Sequence, residues 1–127
     1  MGTTSPVKAF LAPIFLAAVL VTTAQAATPL GTLKVTYWPQ GLEGTRSVWT
    51  LRCGPVGGTH PLRRPACAVL RKHPADLRPA TRACTLLPTR TSARATITGT
   101  WAGRHVNRGY RIGCPGWADL SVVLTAK

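Results

Sequence analysis

The residues able to do chemistry in this chain are few, and their spacing narrows what they can do. Four cysteines stand at Cys53, Cys67, Cys84 and Cys114, separated by 14, 17 and 30 positions. Zinc sites built from cysteine usually contain pairs about two to four residues apart; none occurs here, so no metal site is expected. An even count at wide spacing reads instead as two disulfides, with three possible connectivities, of which the sequential one closes the shortest loops. Three histidines, His60, His73 and His105, have only Glu43, Asp76 and Asp119 as acidic partners. Neither a nucleophile elbow nor an HExxH pattern accompanies them, so catalytic residues and a cofactor are not expected. So few carboxylates also leave little material for paired-carboxylate catalysis or oxygen-ligated metals.

The elements that hold these cysteines begin after a segment of different character. Lys8 is the only charge before the apolar run Ala9 to Val21, which is followed by Ala24-Gln25-Ala26. A positive start, a short apolar run and a small-x-small end predict a secretory signal peptide over residues 1–26, cleaved after Ala26. The run is too short for a membrane span, which needs about 20 apolar residues, and Pro13 interrupts it. Residues 27–127 are then the single folded domain. Export would place the cysteines where disulfides form. The formal charge of +13 falls to +12 with the loss of Lys8, and arginines dominate it, spread along the whole domain. Such a field keeps a protein soluble and attracts anionic surfaces, but no motif for specific nucleic-acid binding accompanies it.

Alternation of apolar and polar residues predicts strands. Leu33, Val35 and Tyr37 form one set; Trp49, Leu51 and Cys53 form another. Ala95 to Trp101 alternates most cleanly, and Val106, Tyr110, Ile112 and Cys114 continue that period beyond an Ala102-Gly103 turn, as a hairpin would. Leu120 to Leu124 is apolar enough for a last, buried strand. Connections this short imply antiparallel pairing. One helix is expected from Pro65 to Lys72, with Pro65 in its first turn and Arg71 and Lys72 at its C-terminal end. Asp76 to Arg78 suits a short turn, and Pro79 to Arg94 shows no period. The class is α+β, with a helix packed on one side of an antiparallel sheet.

One block is more distinctive than any periodicity. Thr50-Leu51-Arg52-Cys53 leads into Gly57-Gly58-Thr59-His60-Pro61 and then Ala66-Cys67-Ala68. Together with Gly99-Thr100-Trp101-Ala102-Gly103-Arg104 and the late Cys114, it resembles the Streptomyces subtilisin inhibitor family of secreted serine-protease inhibitors. The resemblance implies a five-stranded antiparallel sheet with one or two short helices, and commonly a homodimer formed through the sheet. It implies disulfides Cys53–Cys67 and Cys84–Cys114, and a structural role for His60 in its loop. It places the reactive bond two residues after the third cysteine, at Leu86–Leu87, with Ala83, Cys84, Thr85 and Pro88 as the protease-contact loop.

The implied partner is an extracellular serine protease. Leu86 would be the specificity side chain, and an aliphatic group suits the apolar pockets of subtilisin-like and chymotrypsin-like enzymes rather than an acid-lined one. Two residues depart from the family pattern. Thr85 stands where proline is frequent, and Pro88 lacks a backbone N–H where an inhibitor commonly donates one, worth about 0.5–1.5 kcal/mol. Without the resemblance, adjacent leucines would read as loop residues turned into a core. A rival expectation is a secreted cationic binding or antimicrobial protein on the same scaffold.

Overall fold

The computed structural model describes residues 2–3, 12–21, 30–73 and 76–127. Lys8 and the cleavage position after Ala26 fall outside the described residues. Among those described, no helix is long and apolar enough to cross a membrane.

Five strands, β1 (Gly31–Trp38), β2 (Ser47–Cys53), β3 (Gly57–Gly58), β4 (Arg94–Trp101) and β5 (Arg104–Arg111), form one sheet in the order β3-β2-β1-β4-β5. Every pairing is antiparallel. The register follows from the alternation. Val35 on the central strand lies between Trp49 and Ile97, and Leu33 lies between Leu51 and Gly99. A shift by one residue would turn this whole apolar set to solvent, so burial fixes the pairing. The opposite face carries threonines and cations, among them Thr32, Lys34, Thr96, Thr98 and Arg94.

Two helices cover the apolar face. In α1 (Arg63–Arg71) the buried residues are Ala66, Cys67 and Leu70. This helix begins two residues before Pro65, whose missing N–H costs nothing inside a first turn, while the Ala66 N–H bonds the Leu62 carbonyl at 2.9 Å. The second helix, α2 (Ser121–Thr125), corrects the expected last strand from Leu120 to Leu124. Leu120, Val123 and Leu124 are the buried residues, a helical i, i+3, i+4 spacing. So short an apolar run carries no usable period. It folds onto α1, β1 and β4 rather than at a sheet edge, where its strand partners would have to be.

The hairpin period also ends earlier than expected. Strand β5 stops at Arg111, leaving Ile112 and Cys114 in a turn rather than on the strand. Gly113, with φ +76°, reverses the chain there, and this is what brings Cys114 back towards Cys84. The disulfides are Cys53–Cys67, tying the end of β2 to α1, and Cys84–Cys114. In the chain-entropy picture, loops of 14 and 30 residues are worth roughly 3 and 3.5 kcal/mol. For a domain whose whole stability is about 5–15 kcal/mol, each matters.

Candidate functional site

The segment from Pro79 to Ala93 has no regular secondary structure, so anything that fixes its shape must come from side chains and isolated hydrogen bonds. Its approach is held from β5. The Tyr110 hydroxyl donates to the Leu77 carbonyl at 2.5 Å, and Arg108 Nε donates to the Asp76 carbonyl at 3.0 Å. Burial pushes the Tyr110 phenol up to about 12, so it remains a neutral donor throughout the physiological range. Asp76 itself closes the expected turn, accepting the Arg78 N–H on Oδ1 at 3.1 Å.

Three attachments then converge on one turn. Cys84 is bonded to Cys114. The Thr85 N–H and the Thr85 hydroxyl both donate to the Gly113 carbonyl, at 2.6 Å and 3.0 Å. The base of Leu86 rests against Gly113, where an added Cβ would lie 2.6 Å from Leu86 Cβ. Gly113 is therefore required twice, for its positive φ and for the space it leaves.

Beyond Leu87 the chain is held again. Leu42 N–H donates to the Arg90 carbonyl at 2.8 Å, beside Gly41, whose φ of +60° and close approach to the same carbonyl exclude a side chain. The Thr89 N–H donates to Ser92 Oγ at 2.8 Å. Between these two clamps the chain projects. Ala83, Cys84 and Thr85 are exposed and Pro88 is half-buried. Leu86 is 58% exposed and Leu87 91%. Neither leucine joins the core.

The other singled-out residues lie elsewhere. Cys53–Cys67 belongs to the β2–α1 corner. His60 is buried beside Trp49, with ring centroids 5.3 Å apart. Its Nδ1 accepts the Leu62 N–H at 3.0 Å, which leaves the proton on Nε2 to donate to the Val123 carbonyl at 2.8 Å. Burial holds its pKa below the ordinary 6.5. This histidine joins the loop before α1 to α2. Gly113 and Gly41 were not singled out from the sequence, and Tyr110 was read there only as a strand residue. Gly113 had a signal, a glycine directly before the last cysteine; the Tyr110–Leu77 bond spans 33 positions and had none.

The projecting loop and its sheet fall within a recognised family. No curated protein matches the chain significantly. A family model described as Subtilisin inhibitor-like matches residues 32–112, from β1 through the exposed leucines to the end of β5. The match covers well over half of the chain, and the five-stranded antiparallel sheet with two helices and two disulfides is consistent with that family's fold. By its sequence and its architecture, this chain belongs to the subtilisin inhibitor-like family of protease inhibitors.

Proposed function

We propose that the chain is a secreted inhibitor of subtilisin-like and chymotrypsin-like serine proteases, with Leu86–Leu87 as its reactive bond. The observation that supports this most is the exposure of two adjacent leucines between clamps on both sides. Large apolar side chains are normally buried, and here two of them are presented at the tip of a tethered loop. Residues 1–26 act as the signal peptide, and the oxidising compartment beyond the membrane allows both disulfides to form.

The protease serine attacks the Leu86 carbonyl while the Leu86 side chain occupies the primary pocket. On one side of the bond, Cys84 and Thr85 stay fastened to the Cys114 turn. On the other, Arg90 and Ser92 stay fastened to Leu42 and Thr89. The new amine cannot leave, so resealing competes with hydrolysis and the complex persists. The loop is already ordered, which removes the entropic cost that a flexible peptide incurs on binding. Thr85 compensates for the absent proline through its two bonds to Gly113. Complexes of this kind bury about 1,600 Å² in total.

Titrating the mature protein against subtilisin tests the reading, with stoichiometric loss of proteolysis expected. Prolonged incubation should leave a nick whose new N-terminus is Leu87. Leu86→Asp should abolish inhibition with the fold retained; unchanged potency would place the bond elsewhere, and simple digestion of the wild type would remove the inhibitor reading. A homodimer would use the sheet face opposite the helices, and a monomer mass in sedimentation would remove that part.

A further inference from the structure

The sheet has two edges, and they are finished differently. At one, β3 is only two residues long, and the Thr59 and His60 N–H groups both donate to the Thr50 carbonyl beside it, at 2.9 Å and 3.0 Å. At the other, β5 runs for eight residues with no strand beyond it. Ala102 and Gly103 both have positive φ, as a two-residue hairpin turn demands, so Trp101 and Arg104 exchange backbone hydrogen bonds. Alternation from there turns the Val106, Arg108 and Tyr110 backbone towards β4. The Ile112 N–H, bonded to the Ala93 carbonyl at 3.0 Å, keeps the same parity. The N–H and carbonyl groups of His105, Asn107 and Gly109 therefore point outwards. All three residues are exposed, and among the described residues no other backbone group bonds them from outside the sheet. A Cβ on Gly109 would meet nothing within 4 Å, so no neighbour crowds the edge there.

Such a row of unpaired groups is a template for another strand, and the side chains beside it decide which. Strand β5 holds Arg104, Arg108 and Arg111 and no carboxylate. Arg104 lies opposite Trp101 and Arg108 opposite Ile97, both buried, so these two cations leave the strand on its helix side. A second copy stacked on the opposite face would leave them free, together with the outward backbone groups. Among the described residues, the ion pairs are Arg78–Asp76 and Arg90–Glu43, and neither involves β5. Arg108 Nε donates to the Asp76 carbonyl, which steadies its guanidinium at the edge. Cations on an edge discourage like-charged neighbours, and two β5 strands laid side by side would crowd arginines onto one ladder. The same charges favour a strand of opposite sign, so the edge refuses its own kind and accepts an acidic one.

We propose that the open edge of β5 binds an extended acidic peptide segment, which adds to the sheet as a further strand while Arg104 and Arg108 pair with its carboxylates. The surface does not include the Leu86–Leu87 apex and stands or falls independently of protease inhibition. The probe is a capped peptide alternating glutamate and threonine, eight residues long to match β5. It is titrated into the mature, disulfide-bonded protein at low ionic strength and followed by fluorescence anisotropy and amide hydrogen exchange. Saturable binding is expected, with exchange slowed at His105, Asn107 and Gly109, whose N–H groups gain acceptors. The same peptide with glutamine for glutamate should bind at least about tenfold more weakly. So should the glutamate peptide methylated on every backbone nitrogen, which keeps its charge and loses its donors. Arg104→Glu, a reversal at an exposed position, should weaken binding at least about tenfold, whereas Leu86→Ala should leave it unchanged. Absence of saturable binding, equal affinity for the methylated peptide, unchanged exchange at the three outward amides, unchanged affinity in Arg104→Glu or a loss in Leu86→Ala would each overturn the proposal. The methylated peptide tests strand addition without altering the protein, so that comparison survives even a variant that folds poorly.

Discussion

In the proposed complex with a protease, Leu86 is the side chain on which inhibition should depend most directly. Burying a leucine in an apolar pocket is worth about 1.5–3 kcal/mol, so Leu86→Ala should raise the inhibition constant by roughly tenfold to a hundredfold. Its neighbour contributes through shape. Thr85→Val removes only the hydroxyl donor to Gly113, and a lost hydrogen bond of about 0.5–1.5 kcal/mol should weaken inhibition by roughly twofold to tenfold. Gly113→Ala is the harsher change, because a methyl group there meets Leu86 Cβ while the backbone sits at φ +76°. Inhibition should fall well beyond the effect of Thr85→Val, and a slow-binding assay beside a thermal melt would separate loop displacement from general instability. Of these three positions, only Leu86 and Thr85 were legible in the sequence, and only through what the family resemblance implies about the residues after the third cysteine. Gly113 acquires its role from a contact across 27 positions, which no local pattern encodes.

At the level of elements, the Cys84–Cys114 bridge and the His60 corner make different demands. Replacing both Cys84 and Cys114 with serine should lower stability by roughly 3.5 kcal/mol in the chain-entropy picture. It should also turn the protein from inhibitor into substrate, seen by mass spectrometry as steady accumulation of two fragments split at Leu86–Leu87. The His60 corner predicts a pH effect. The folded protein holds His60 neutral below its ordinary 6.5, because burial penalises the charged ring and Nδ1 is already accepting from Leu62. As pH falls below 6.5 the unfolded chain takes up a proton that the folded chain refuses. Stability therefore drops by up to about 1.4 kcal/mol per pH unit, and the drop ends once pH passes the lower folded value. Urea midpoints from about pH 8 to about pH 5 should show this decline, and His60→Gln should flatten it. Strands β1, β2, β4 and β5 were readable because alternation survives in single segments, whereas β3 is two glycines and has none. The helix α2 was not, since its five residues have a face only once α1 and the sheet lie beneath them.

Across the whole molecule the excess of cations sets long-range behaviour. With 16 Lys and Arg against 3 Asp and Glu, the net charge is strongly positive and weakly compensated. Association with a protease of acidic surface should therefore slow as salt rises, while dissociation changes little. Binding to polyanions is the matching prediction for the cationic-protein alternative. Retention on a polyanionic resin should decline steeply with salt and be the same for wild type and Leu86→Asp. Retention that tracked Leu86 would remove any separate role for the charge.

The order of residues by itself determined the α+β class and the antiparallel pairing, and the leucine pair stood out only through the family resemblance. Periods of two and short connections are local, and a motif around Cys53 and Cys67 is written within 19 positions, from Thr50 to Ala68. Folding alone decided that Leu86 and Leu87 face water rather than a core, and that Leu120 to Leu124 coils instead of extending. Exposure and juxtaposition are properties of which surfaces meet across the sheet. Chain order constrains those meetings only through the sum of many weak, long-range contacts.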